Sequence, residues 1–157
     1  MRIGIGYDSH RFAPGRRLIL GGVEIPFERG LVGHSDADAV AHAVTDAILG
    51  AAALGDIGTH FPPSDPEWRD ADSLVLLEQA VRLLEEHGHR VVNVDVTVIC
   101  EAPKLAPHVP AMRERLAAAL GIGSAQVSVK AKSNEGMGWI GRGEGIAALA
   151  VALVADL

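Results

Sequence analysis

One cysteine, Cys100, is all that the 157 residues hold, which excludes an intrachain disulfide framework and a metal site made of cysteines alone. Such scarcity fits a reducing compartment. Aromatic residues are also rare, at 4% of a chain that is 48% hydrophobic, so the core must be built from Ala, Val, Leu and Ile. Small and branched side chains of this kind suit close packing of helices on a sheet. No basic run is present and the net charge is −6, a poor basis for wrapping a nucleic acid. An anionic substrate on such a chain needs metals and local dipoles to offset the field. The N-terminus lacks the basic-then-apolar layout of a signal peptide, and the longest apolar run falls short of the ~20 residues of a membrane helix. No repeat, low-complexity tract or linker divides the chain. The expectation is one cytoplasmic domain over residues 1–157, with neither membrane nor nucleic acid as partner.

Apolar periodicity assigns the elements. Residues 2–6 read as a strand, with Ile3 and Ile5 separated by glycine. Residues 18–20 and 23–25 flank Gly21 and Gly22 and read as a hairpin, because the glycine pair supplies the positive φ of a tight turn. Residues 38–54 read as an alanine-dense helix capped by Gly55. Residues 61–70, rich in Pro and Asp, read as a loop. A second helix over 73–87 carries an apolar stripe of Leu74, Leu77, Val81 and Leu84 and stops at Gly88. Residues 91–101 alternate, with Val92, Val94, Val96, Val98 and Cys100 on one face and Asn93, Asp95 and Thr97 on the other. A third helix starts at Pro110 and ends at Gly121. Residues 126–132 alternate again through Val127, Val129 and Ala131. Residues 136–145 read as a flexible glycine loop, and 146–155 as a strand apolar on both faces. This order predicts an α/β two-layer sandwich, a mixed β-sheet with helices on one face. One helical layer cannot also cover the second face of the terminal strand, whereas an oligomer can.

The chemistry starts at the end of the first strand. Asp8 and His10 are two apart, and in an extended chain such residues point the same way. His34 and His42 follow, with Asp36, Asp38 and Asp46 around them; Asp38 and His42, four apart, share a helix face. One Asp and two His make a nitrogen–oxygen set for zinc that leaves the fourth position open, as catalytic sites do. The spacing equally allows a solvated histidine, with Asp36 and Asp38 serving the helix N-terminus. Asp56–Ile57–Gly58 and the following Phe61, Pro62, Pro63, Ser64 and Asp65 read as an Asx turn and a proline-stiffened loop. Glu101 to Leu105 leave one strand, and Lys130, Lys132, Ser133 and Glu135 leave the next, where functional loops often sit. Lys130 reads as a cap on a solvated strand face, and Glu135 either as a loop carboxylate or as a hard oxygen ligand for magnesium. The glycines let backbone approach a ligand, yet neither a Walker loop nor a dinucleotide fingerprint is formed. No nucleophile constellation stands out, and Cys100 has no basic neighbour to activate it, which fits a substrate that brings its own nucleophile.

Asp8-x-His10, Gly21–Gly22, His34–Ser35–Asp36, His42, Asp56–Ile57–Gly58, Phe61–Pro62, Asn93–Val94–Asp95, Ala102–Pro103–Lys104 and Gly141–Arg142–Gly143–Glu144–Gly145, in that order, resemble the 2-C-methyl-D-erythritol 2,4-cyclodiphosphate synthase family. The resemblance implies a homotrimer with active sites between subunits. It implies a lyase of the non-mevalonate (MEP) isoprenoid route, acting on 4-diphosphocytidyl-2-C-methyl-D-erythritol 2-phosphate, a cytidine-diphosphate-linked small molecule. The 2-phosphate attacks the β-phosphorus, CMP leaves and the cyclic diphosphate forms. The implied cofactors are Zn2+, held by Asp8, His10 and His42, and Mg2+ or Mn2+, held by Glu135. His34 and Ser133 match catalytic positions, and Ser9, His34 and Ser35 match substrate contacts. Asp56, Ile57, Gly58, Phe61, Pro62, Pro63, Ser64 and Asp65 match the methylerythritol pocket. Cys100, Glu101, Ala102, Pro103, Lys104, Leu105 and Ala106, with Ala131, Lys132 and Ser133, match the cytidine pocket. Asn134, Trp139 and Arg142 complete the substrate set. Arg142 and Glu144 also match the trimer's central cavity, which the resemblance implies accepts an isoprenoid diphosphate. Pro63, Ser133, Trp139 and Tyr7 depart from the usual Asp, Thr, Phe and Phe.

A phosphate nucleophile is already ionised at neutral pH, so no general base is required. The difficulty is to bring anionic phosphates together, which metals ease, and to orient an in-line attack. Two rival readings predict other outcomes. A metal-dependent phosphohydrolase would yield a linear phosphate, and a trimeric isoprenoid-binding module with structural zinc would release no CMP.

Overall fold

The computed structural model describes residues 1–157. Its strands are β1 (Arg2–Pro14), β2 (Leu18–Leu20), β3 (Val23–Ile25), β4 (Arg29–Leu31), β5 (His89–Ile99), β6 (Val127–Lys132) and β7 (Gly145–Asp156). Its helices are α1 (Ala39–Ala51), α2 (Ile57–His60), α3 (Ser73–Glu86), α4 (Val109–Leu120) and α5 (Gly138–Gly141). Five strands form one sheet in the order β4-β1-β7-β5-β6, and β2 and β3 form a separate hairpin. Only β5 and β6 run parallel, so the sheet is mixed. The long helices α1, α3 and α4 cover one face of it.

The packing follows from small residues. Val94, Val96 and Val98 of β5 and Ala148, Ala150 and Ala152 of β7 turn one face into the core. In β1 the same face carries Gly4 and Gly6, and a Cβ at Gly6 would overlap the Ala43 carbonyl oxygen and lie 2.9 Å from Ala47 N. Backbone therefore meets backbone where α1 crosses β1, and the alanines of α1 keep the approach close. Leu77 and Leu84 of α3 and Met112 and Leu116 of α4 fill the wider gaps over β5 and β6, where burial stabilises each by about 1.5–3 kcal/mol.

The helix entrance is built by one carboxylate. Asp38 is the N-cap of α1, and its oxygens accept Ala41 N at 3.0 Å, Gly21 N at 2.8 Å and Gly22 N at 2.7 Å. Gly21 and Gly22 have φ of 58° and 73°, the conformation that turns both amides toward it. Burial, then the neighbouring Asp36, pushes the Asp38 pKa up against these three donors. Asp38 thus serves the helix start and does not share a site with His42.

Several expectations need correction. The first strand runs eight residues beyond Gly6, to Pro14, because it continues to pair with β7 through Arg11↔Gly145 and then with β4 from Phe12↔Leu31 to Pro14↔Arg29. The first helix ends at Ala51 and not at Leu54, since Ala53 takes the left-handed position at φ 58° while Leu54 N bonds Leu49 O at 2.9 Å. A bulge between Val91 and Asn93 moves Val91 into the core in place of Val92. Segments 57–60 and 66–68, read as turn and loop, wind into α2 and a 3-10 turn. The glycine stretch 136–145 is a compact turn around α5, held by Gly141 N to Met137 O at 2.9 Å. Strand β7 is covered on one face only, leaving Leu149 37% and Val151 48% exposed beside Ile3, Ile5 and Tyr7 of β1. No helix is long and apolar enough to cross a membrane.

The α1–β1 contact generates a test. Gly6→Ala is expected to destabilise the fold by about 3 kcal/mol or more, because the obstacle is backbone and cannot step aside. Gly50, also in α1, has open space around it, so Gly50→Ala should stabilise by about 0.5–1 kcal/mol. Urea unfolding reads both, and a Gly6→Ala variant as stable as Gly50→Ala would remove the close contact from the account.

Candidate active site

Alternation along β1 turns Asp8 and His10 toward the helices, and the first turn of α1 sets His42 opposite them. Asp8 Oδ2 lies 2.7 Å from His10 Nε2 and 2.9 Å from His42 Nδ1, and those two nitrogens are 3.2 Å apart. A tetrahedral site with arms of ~2.0–2.1 Å has edges of roughly 3.3 Å, so the three donors need only a small spread to hold zinc. The other ring nitrogens are tied back: His10 Nδ1 to the Val32 carbonyl at 2.8 Å, and His42 Nε2 to Ser73 Oγ at 2.8 Å and Ser35 Oγ at 3.1 Å. Such rear contacts fix a ligand's tautomer and orientation. One carboxylate and two anchored imidazoles therefore fit a divalent metal.

The local electrostatics follow from this pairing. Burial opposes charge on Asp8, but hydrogen bonds from His10 and His42 outweigh it and lower the carboxyl pKa. Burial likewise opposes charge on His10, and the bond to Asp8 outweighs it, raising the imidazole pKa above 6.5.

The triad opens on a cavity of about 260 Å³ lined by His34, Ser35, Ile57, Gly58, Phe61 and Pro63, among others. Two further walls, Trp68 and Leu76, carried no sequence signal: Trp68 lies in the Pro- and Asp-rich stretch, and Leu76 sits off the α3 stripe. Leu76 is only 3% exposed yet stands apart from the main core, and Trp68 meets the Phe61 ring edge-on at 5.1 Å. The loop carrying Pro62, Ser64 and Asp65 is pinned by His34 Nε2 on the Asp65 carbonyl at 3.0 Å. Asp56 caps α2 through Thr59 N at 2.8 Å, and bonds from Thr59 hold its carboxyl below the usual range. Asp46 accepts Ile57 N at 2.8 Å, and burial raises its pKa.

The remaining expected residues gather elsewhere. Ser9 points to the opposite sheet face, toward Arg11, Trp139 and Glu144. Cys100 N bonds Lys132 O at 2.8 Å, joining the ends of β5 and β6. Glu101 accepts Asn134 N at 2.6 Å and Gly136 N at 3.3 Å, and Ser133 Oγ accepts Glu135 N at 3.2 Å. Ala102, Lys104 and Ala106 are exposed and Pro103 and Ala131 half-buried, while Leu105 is a core side chain that offers a ligand only its backbone. Burial pushes the Cys100 thiol up to about 11, so it is no nucleophile. Lys130 pairs with Asp95 at 2.6 Å on the solvated strand face, and Arg142 pairs with Glu144 at 2.9 Å. Ser9, Ala147, Ile99 and Lys132 lie in one row across the sheet, so β7 separates the triad strand from a second group, the residues at the ends of β5 and β6. Two strand spacings are roughly 10 Å, and none of the second group lines the triad's cavity.

Comparison with known proteins adds to this geometry. Residues 1–155 match the model of the YgbB family. The chain is 64% identical over 155 residues to the 2-C-methyl-D-erythritol 2,4-cyclodiphosphate synthase of Symbiobacterium thermophilum, covering 99% of each chain. It is 58% identical over 156 residues to the synthase of Moorella thermoacetica, covering 99% of this chain and 96% of the other. Among solved structures, the bifunctional IspDF of Campylobacter jejuni superposes with a TM-score of 0.96 at 41% identity, over 99% of this chain and 42% of that one. A CDP-bound form of 2C-methyl-D-erythritol-2,4-cyclodiphosphate synthase superposes with a TM-score of 0.90 at 40% identity, over 98% and 100%.

The raised His10 pKa predicts how metal uptake depends on pH. A metal must displace the proton that the Asp8 carboxylate stabilises on His10, so binding releases it. Zinc affinity is expected to rise with pH until His10 has lost its proton, which the bond to Asp8 delays to a pH above the ordinary histidine range. Chelator competition across that range reads the curve, and a flat one would overturn His10 as a ligand.

Proposed function

The chain belongs to the YgbB family, and from that premise we propose that it converts 4-diphosphocytidyl-2-C-methyl-D-erythritol 2-phosphate to 2-C-methyl-D-erythritol 2,4-cyclodiphosphate, releasing CMP, in the MEP route to isoprenoids. The observation that carries this reading is the open Asp8–His10–His42 triad beside a cavity, in a chain so similar to synthases of that product along its length. The reaction is placed in the cytoplasm, with residues 1–157 acting as one domain.

Asp8, His10 and His42 are assigned as zinc ligands and Glu135 as the protein ligand of Mg2+ or Mn2+. A single carboxylate suffices there, because such ions take most other ligands from substrate phosphates and water. When bound, the two metals supply Lewis-acid charge to the phosphates. The chain's own residues position the reactants. The 2-phosphate oxygen forms a bond to the β-phosphorus, and the bond from that phosphorus to the bridging oxygen breaks, its electron pair leaving with CMP. His34, Ser35 and Ser133 offer hydrogen bonds to the phosphates in this step. Asp56, Ile57, Gly58 and the segment 61–65 hold the methylerythritol, with Trp68 and Leu76 as apolar walls. Residues 100–106 and 131–133 hold the cytidine, with Ser9, Asn134, Trp139 and Arg142 completing the substrate contacts. Fixing both ends of the substrate can contribute ~7–11 kcal/mol to an in-line attack.

The second group is proposed to act on the neighbouring subunit's triad in a homotrimer. The exposed Ile3, Ile5, Tyr7, Leu149 and Val151 support this assembly, since a ring of three covers such a face. Its central cavity, beside Arg142 and Glu144, is proposed to take an isoprenoid diphosphate.

Phosphorus NMR after incubation with the cytidyl substrate tests the reaction. The expected products are the cyclic diphosphate and CMP, while a linear phosphate or no CMP would overturn the assignment. Mixing tests the shared site. His42→Ala and Glu135→Ala homotrimers should each be nearly inactive. Unfolded and refolded together in equal amounts, they should regain about a quarter of wild-type activity, because random assortment leaves that fraction of interfaces with both halves intact. Mixed trimers as inactive as their parents would place the site within one subunit.

A further inference from the structure

Behind His42 lies a polar group buried among helices. Ser73, the first residue of α3, is fully buried, and its hydroxyl lies 2.8 Å from His42 Nε2. The same hydroxyl bonds Asp36 Oδ1, while Ser73 N donates to Asp36 Oδ2 at 3.0 Å. Asp36 is anchored in turn by its own amide on the Ala71 carbonyl at 3.1 Å and by Asp38 N on Oδ1 at 3.1 Å. Ser35 Oγ stands 3.1 Å from His42 Nε2 and 3.3 Å from Ser73 Oγ.

Proton counting gives this chain a direction. An ionised carboxylate accepts only, and a hydroxyl carries one proton. The Ser73 proton therefore goes to Asp36, and the free lone pairs of Ser73 accept the proton on His42 Nε2. In the neutral imidazole that a metal ligand requires, that leaves Nδ1 of His42 as the bare nitrogen, facing Asp8 and His10. We propose that Asp36 and Ser73 are positioning residues that act in series to hold the His42 ring in its metal-binding tautomer and orientation. The proposal rests on the zinc reading above and adds residues that touch neither metal nor substrate. Asp36 sits between the loop after β4 and α1, Ser73 on α3 and His42 on α1, so the relay also ties ligand geometry to the packing of the two helices.

The test uses purified full-length protein and zinc alone. Zinc affinity by chelator competition and the melting temperature of the zinc-free protein are measured for wild type, Ser73→Ala, Asp36→Asn, the double variant and Ser73→Thr. Ser73→Ala should weaken zinc binding about 10–100-fold with little change in zinc-free melting. Ser73→Thr, which keeps the hydroxyl, should recover most of that loss. The double variant should bind no more weakly than Ser73→Ala, because Asp36 acts through the hydroxyl that is already gone. Wild-type affinity in Ser73→Ala, or additive losses in the double variant, would overturn the relay. A wild-type protein that binds no zinc would instead overturn the metal reading. Should Ser73→Ala fail to fold, nitrogen-15 NMR of zinc-loaded wild type decides alone. A His42 Nε2 proton protected from exchange supports the relay, and a freely exchanging one removes it.

Discussion

The backbone-to-backbone contact of α1 with β1 governs the rest of the molecule. At Gly4 and Gly6 there is no room for a Cβ between the strand and the carbonyls of Ala43 and Ala47. That closeness brings an imidazole on the helix to 2.9 Å from a carboxylate on the strand. A side chain at either glycine would lift α1 and open the triad. The same lift would draw Asp38 off the Gly21–Gly22 turn, since one carboxylate caps the helix and holds the hairpin. Core packing and ligand geometry are thus one constraint, set by the absence of side chains.

Charge is managed just as locally. Three aspartates surround the triad and a fourth belongs to it, in a chain of net charge −6, yet each has its own donors. Asp38 takes three backbone amides, Asp46 the Ile57 amide, Asp36 the Ser73 amide and hydroxyl, and Asp8 two imidazoles. The cavity beyond them is lined by neither lysine nor arginine. Histidines and a serine are the polar groups that an anion would meet there, so bound cations are the natural source of positive charge.

A second consequence concerns the opposite sheet face. Helices cover one side, and β1 and β7 leave isoleucine, tyrosine, leucine and valine on the other. The two groups of expected site residues are also held apart, by the width of β7. Both features are what a ring of copies would require, with each site assembled across a boundary.

Much of the site was legible because its signals are local. Asp8 and His10 share a face by strand alternation, and the sheet keeps that alternation through Pro14. The ends of β5 and β6 were legible too, since from Val94 and Val127 onward both strands alternate and leave their loops side by side. Local signals misled where geometry competed with composition. Gly55 looked like the cap of the first helix, but Ala53 took the left-handed position. Val92 fitted the alternation, but a bulge gave its place to Val91. The glycines after Gly136 looked flexible, but they pack as a turn. Trp68 and Leu76 had no periodic or motif signal, because a cavity wall is defined by what stands opposite it. The sequence by itself determined the elements, the ligand types and the family resemblance, since these depend on neighbours a few residues apart. Only the tertiary structure decided that Asp38 caps and does not ligate, that Ser73 and Asp36 stand behind His42, and that two clusters remain apart. Those facts depend on how closely α1, β1 and α3 approach one another, a distance set by packing that no spacing along the chain encodes.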